Sequence, residues 1–234
     1  MMMEKLHTCA QLIEYINDVG FLPLLNIGIE GWSADDVMDE ECRYRYLPEG
    51  GWEWPLWDWK GDIIRETGCA YGKFFCGKAA FVTRQWWPDF CNWRRYKHEK
   101  PAEGTVEEGI LATLSVNGSM SSRQLRQACG FQGKGMRGKF DGYVTRLQMA
   151  GYVVTQDFVY AHDRSGRPYG WGYSLLATPE SLFGHDACHA KRSAEDSRQR
   201  MESKLREVVP GITDRQLNRL LAEEYCFGLT RKRI

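Results

Sequence analysis

Residues 105–178 read TVEEGILATLSVNGSMSSRQLRQACGFQGKGMRGKFDGYVTRLQMAGYVVTQDFVYAHDRSGRPYGWGYSLLAT, and this stretch decides the fold. Thr105 and Glu108 have the spacing of a capping box, in which a hydroxyl and a carboxylate satisfy the free N–H groups that open a helix. Ile110, Leu111 and Leu114 follow, and Asn117-Gly118 closes the helix. Ser121 and Gln124 form a second box, opening a short helix that Gly130 stops. A third helix is expected from about Met136 to Ala150. Its residues Phe140, Val144 and Leu147 recur at spacings of four and three, one apolar stripe. Tyr152 to Phe158 then reads as a strand, Asp163 to Pro168 as a polar turn, and Gly172 to Ala177 as the return strand. Three helices followed by a two-stranded hairpin is the order of a winged helix-turn-helix.

In that architecture the third helix faces a DNA major groove and the wing arginines, Arg164 and Arg167, approach phosphates. The outward face of the helix does not suit base reading. Projected at about 100° per residue, the positions opposite Phe140 are Gly138, Gly142, Thr145 and Met149, flanked by Lys139 and Arg146. None is an Asn, Gln or Arg pair able to read a base edge. Two glycines inside a helix are expected where another backbone packs closely, so this face is read as a docking surface.

Composition narrows the classes further. The chain has 234 residues, 43% of them apolar, which supports a sizeable core. Its formal net charge is zero, which excludes a uniformly basic nucleic-acid glove. The charge is uneven: residues 1–60 carry 4 Lys/Arg against 12 Asp/Glu, and residues 61–100 carry 8 against 4. Phosphate contact therefore has to come from local patches. The eight cysteines form no CxxC pair, so no zinc ribbon or other metal site is expected. His185, Cys188 and His189 share a helical face but have no fourth ligand. No cofactor is expected either: Gly133-Lys-Gly-Met-Arg-Gly138 lacks the spacing of a phosphate loop. The first apolar stretch is broken by Glu14 and Asp18, and no run of about 18 apolar residues occurs. The expectation is a cytoplasmic protein with no membrane span.

Outside the central stretch, a helix is expected over residues 4–19, and Pro23 keeps Phe21-Leu-Pro-Leu-Leu25 out of a central strand. Seven of the nine tryptophans lie between 52 and 93. Pro55 suits the first turn of a helix running to Gly68, and residues 70–75 and 79–83 flank a turn at Cys76-Gly-Lys78. Pro88 opens a further helix, where Arg94, Arg95 and Lys97 lie beside Phe90, Trp93 and Tyr96. The rings are read first as core and secondly as a pocket for a flat or cationic ligand. From Ala190 onward, alternating charge reads as helices with a solvated face, with Arg231-Lys-Arg233 as a generic basic end.

Gly20-Phe-Leu-Pro-Leu-Leu25, Ala70-Tyr-Gly-Lys-Phe-Phe75, Trp86-Trp-Pro-Asp-Phe90 with Trp93-Arg-Arg-Tyr96, and the 105–178 stretch together resemble the AlkZ-related bacterial proteins. These are similar to winged-helix DNA glycosylases, which release alkylated or crosslinked bases. The resemblance implies a water-positioning Gln-x-Gln or Gln-x-Asp motif just after the first helix. Here the corresponding segment is Pro23-Leu24-Leu25, and Asn26 is the nearest polar residue. Fold is thus implied more strongly than activity.

The sequence therefore predicts an α+β chain, mainly helical with small β-hairpins, in which a winged helix packs on the tryptophan-rich region. Its expected parts are residues 1–100, 105–184 and 190–234. The expected function is association with double-stranded or damaged DNA through Arg137, Lys139, Arg146, Arg164 and Arg167, with Arg94, Arg95 and Lys97 as a second patch. The alternatives are an active glycosylase using Asn26, and an interaction or small-ligand module built on the aromatic block.

Overall fold

The computed structural model describes residues 5–48, 50–166 and 168–221. The fold is α+β, mainly helical, with three small antiparallel sheets among the described residues.

Helix α1 (Cys9–Val19) opens on a full capping box between Thr8 and Gln11 and ends at Gly20. It starts later than the apolar pattern suggested, because Leu6 is bridged to Met38 instead. Strand β1 (Phe21–Pro23) is an edge strand, the one place in a sheet where Pro23 is tolerated. Two single-turn helices, α2 (Ala34–Val37) and α3 (Glu40–Arg43), are capped by Ser33 and Asp39 and take up the acidic run. A two-stranded ribbon, β2 (Arg45–Tyr46) with β3 (Trp52–Glu53), leads into α4 (Pro55–Thr67). Strands β4 (Ala70–Phe75) and β5 (Lys78–Val82) complete the first sheet in the order β1-β5-β4. Positive φ at both Cys76 and Gly77 makes their connection the tight turn whose twist matches a hairpin. Helix α5 (Trp87–Lys97) follows, with Pro88 in its first turn.

The central stretch forms α6 (Val106–Asn117), β6 (Met120–Ser121), α7 (Ser122–Ala128), α8 (Met136–Met149), β7 (Val154–His162) and β8 (Pro168–Ala177). The Thr105 hydroxyl caps α6, and the Ser121–Gln124 box caps α7. The hairpin gains a third strand that the sequence did not signal, in the order β6-β8-β7. Ile110, Leu114, Leu125, Phe140, Leu147, Val153 and Leu176 form its own buried cluster.

Helix α9 (Pro179–Phe183) and a 3-10 turn (Asp186–Cys188) lead to α10 (Ala194–Val208) and α11 (Asp214–Leu221). The charged faces of these last helices meet water, but their apolar stripes do not. Met201, Leu205, Leu217, Leu220 and Leu221 sit in the same buried cluster as α1, α4, α5 and the first sheet. Asp89 on α5, its side chain 2% exposed, receives Arg192 at 2.6 Å and Arg200 at 3.3 Å. Arg94, 1% exposed, donates to the Leu220 carbonyl at 2.5 Å and the Phe74 carbonyl at 3.3 Å. The Trp93 indole donates to the Leu221 carbonyl at 2.5 Å. Polar side chains of α5 thus bind the carbonyls of Leu220 and Leu221 on α11.

Candidate nucleic-acid interface

The outer face of α8 docks, though not through its glycines. Thr145 and Met149 are buried, and the Thr145 hydroxyl receives the Lys73 amine from β4 at 3.1 Å. The Gln148 carboxamide accepts from the Lys73 backbone N–H and donates to the Thr155 hydroxyl, each at 3.2 Å. Gly138 faces open space, and a side-chain carbon on Gly142 would meet only the Arg146 guanidinium. The expectation of a close backbone approach at the two glycines is therefore corrected. The C-terminal half of α8 is covered by β4, and its N-terminal half is exposed.

Between α4 and β4 on one side and α7, α8 and the hairpin on the other lies a cleft of about 510 Å³. Its floor and walls carry Trp57, Lys60, Tyr71, Phe158 and Trp171, and Arg123 and Arg137 line it from α7 and α8. Lys60 is 1% exposed. Its amine donates to the Trp57 carbonyl at 2.6 Å and lies 4.0 Å and 4.3 Å from the centres of the Trp57 and Phe158 rings. The i, i+3 spacing on α4 creates this arrangement. Burial pushes the Lys60 amine down to about 8, with Asp58 opposing the shift. Burial also lowers the Lys73 amine, against the pull of Asp141. Arg123 is exposed, and Arg137 is 3.7 Å from Asp141 with its side chain 78% exposed.

Lys60 makes a testable contribution to stability. Its amine is held below the unfolded value of 10.5, so at pH below about 8 the fold carries a dehydrated cation that the unfolded chain hydrates freely. Between those two values the unfolded chain binds more protons, so this penalty fades as pH rises. Lys60→Met is expected to be more stable than the parent at pH 7 by on the order of 1 kcal/mol, allowing for water at the cleft. The difference should shrink toward pH 10.5 in paired thermal melts; a constant difference would contradict it.

The sequence-expected residues are dispersed. Arg137 lines the cleft, and Lys139 is exposed on α8 nearby. Arg146 turns away, pairing with Glu107 at 2.6 Å and lying over the Tyr143 ring. Arg164 is exposed in the hairpin turn, where the Asp163 carboxylate accepts from the Ser165 N–H at 2.8 Å. Arg167 lies outside the described residues, as does Arg231-Lys-Arg233. The second patch does not assemble as a surface. Arg94 is interior, and Arg95 binds the Gly151 carbonyl at 2.7 Å and Glu180 at 2.5 Å. Only Lys97 of the three is exposed, its amine 5.1 Å from the centre of the Trp93 ring.

Asn26 is engaged in its own loop. Its carboxamide donates to Asp36 at 3.0 Å and accepts from the Gly28 N–H at 2.7 Å. Leu22 and Leu24, on either side of Pro23, are buried. Nor do His185, Cys188 and His189 converge: the two rings stack at 4.2 Å while Cys188 is buried. Among the described residues no three metal-ligating side chains come together, and no helix is long and apolar enough to cross a membrane.

Lys60, Lys73, Arg123 and Trp171 were not singled out by sequence reasoning. The Trp57–Lys60 spacing was visible; the approach of β4 to α8 was not. A family model described as AlkZ related matches residues 6–222. No curated protein and no solved structure shows a significant match.

Proposed function

This chain belongs to the AlkZ-related family, and on that premise we propose that it engages DNA along the cleft between α4–β4 and the α7–α8 hairpin unit. In this reading residues 105–178 act as a winged helix whose third helix is half docked. Phosphates are met by Arg123, Arg137 and Lys139, and by Arg164 at the wing turn. The observation that carries the reading is the pairing of two exposed arginines with aromatic walls in one cleft of about 510 Å³. Cations hold a phosphate backbone while rings stack on an unpaired base. The half-covered α8 favours contact with backbone and shape over base-edge reading.

The reading has no glycosylase chemistry at Pro23-Leu24-Leu25, which offers no side chain to orient water. Asn26 is held by Asp36 and Gly28.

Binding should be measured on duplex, gapped and alkylated DNA across a salt series. Arg123→Ala with Arg137→Ala should weaken binding on all of them and reduce the slope of log K against log salt by about 1.8, two phosphate contacts at about 0.9 each. No binding at low salt, or an unchanged slope in the double variant, would remove the proposal.

A second reading, base excision, is favoured by one observation. The cleft is lined by Lys60, whose amine burial lowers to about 8, so that it gives up its proton more readily than an ordinary lysine and serves as a base above that pH. Abasic-site formation on alkylated DNA that disappears in Lys60→Met would select it.

A further inference from the structure

The tryptophan block divides into two populations. Trp86 and Trp87 are buried with Trp32 and Trp93 in the main core. Trp54, Trp57 and Trp59 are partly buried against that core, and Trp54 and Trp57 also cluster at its surface with the exposed Trp52 and Trp171. The four clustered rings surround a concavity of about 370 Å³ that also touches Glu53, Asp58 and Gly170. We propose that this concavity is a binding site for a compact organic cation with an alkylated ammonium head.

Two segments distant in sequence build the walls: β3 running into the start of α4, and β8. Trp54 and Trp57 stack with centres 5.1 Å apart. Trp171 stands at 86° to Trp54 and 85° to Trp57, with centres 6.5 Å and 5.3 Å away. Trp52 closes the group 5.5 Å from Trp171. Rings at right angles present more than one π surface to one volume. The cluster remains open, with Trp52 44% and Trp171 55% exposed. At Gly170 an added side-chain carbon would meet nothing within 4 Å, so that wall stays unfilled.

The lining chemistry selects the ligand. It contains no Lys, Arg or His, and its charged groups are Glu53 and Asp58. Glu53 is held by Arg45 at 2.5 Å. The Asp58 carboxylate makes no hydrogen bond or ion pair among the described residues; the Lys60 amine, over the Trp57 ring, is the positive charge that opposes its shift. Partial burial raises the Asp58 carboxyl from its ordinary value, while the residue stays exposed to solvent. A phosphate-bearing ligand is repelled here, and a neutral apolar one draws nothing from the Asp58 carboxylate. A hard metal ion needs six or more oxygens, which this lining lacks. An alkylated ammonium is weakly hydrated, is attracted by the ring faces that Tyr44, Lys60 and the stacked indoles leave open, and gains the carboxylate as well.

The test is independent of DNA binding. Choline is titrated against the full chain while tryptophan emission is followed, beside its neutral isostere 3,3-dimethylbutan-1-ol. Choline should give a saturable change, with the isostere weaker by about 10-fold. Asp58→Asn should weaken choline by about 5-fold, and Trp171→Leu should remove the saturable change. Far-ultraviolet dichroism identifies folded variants; Trp52→Leu replaces Trp171→Leu if the latter is unfolded. Equal response to choline and isostere, no saturable response, or an unchanged response in the folded tryptophan variant would overturn the proposal.

Discussion

Arg94→Ala is expected to lose about 3–5 kcal/mol of folding stability, read from denaturant unfolding with an unchanged slope. Two effects add. The stem leaves a void beside Phe90, whose ring centre lies 5.2 Å from the guanidinium. The carbonyls of Phe74 and Leu220 lose their buried charged donor. The Leu220 carbonyl is the more serious loss, because it is the closer partner, at 2.5 Å against 3.3 Å for the Phe74 carbonyl. Arg94→Met separates the two effects. It fills most of the volume and removes a buried charge, which by itself is often neutral or favourable. It should cost about 1–3 kcal/mol, the value of carbonyls left without a donor. In both variants amide exchange in residues 214–221 should accelerate before that of α1 or α6. Uniform acceleration would show that α11 is not held through this arginine.

Trp87→Ala is expected to be about as damaging, at roughly 3–5 kcal/mol. Trp87 is fully buried and packs on Phe74 and Phe90, each 5.3 Å between centres, and on Phe183 at 6.0 Å. It therefore joins the first sheet, α5 and α9 in one contact. In a chain of this size roughly 4 kcal/mol lowers the melting temperature by about 10 °C. Trp52→Ala gives the contrast. Its ring is 44% exposed, so the loss should stay under about 1 kcal/mol. If the two substitutions cost the same, the division of the tryptophans into core and surface groups is wrong.

That division marks where sequence reasoning stopped. Local signals carried far. The Ser121–Gln124 capping box placed α7, the Thr105 hydroxyl placed α6 without the reciprocal Glu108 bond, Pro55 and Pro88 opened α4 and α5, and the stripe of Phe140, Val144 and Leu147 set the inner face of α8. These are short-range interactions, so a short window contains their cause. Proximity between segments was not legible. Trp171 reaches Trp57 across 114 positions, and the Lys73 amine meets Thr145 across 72. The glycines of α8 misled because helix propensity gave them a reason that the fold does not use. The arginines at 94 and 95 read as a surface patch because charge patterning cannot distinguish a solvated guanidinium from one holding interior carbonyls. At Asn26 the sequence showed the missing polar pair, but not that Asp36 and Gly28 would occupy the carboxamide.

The return of α10 and α11 to α5 has a consequence for biosynthesis. Trp93 meets the Leu221 carbonyl 128 residues later, and Asn92 meets Ser197 105 residues later. The first sheet and α5 are synthesised early, yet part of their apolar cover arrives last. Closing such long loops slows folding, and a nascent chain exposes the uncovered face meanwhile. The 105–178 unit has its own buried cluster and local contacts, so it can fold while the chain is still emerging. The order of folding should therefore run from the 105–178 stretch outward, with α5 and the first sheet closing once α10 and α11 have emerged.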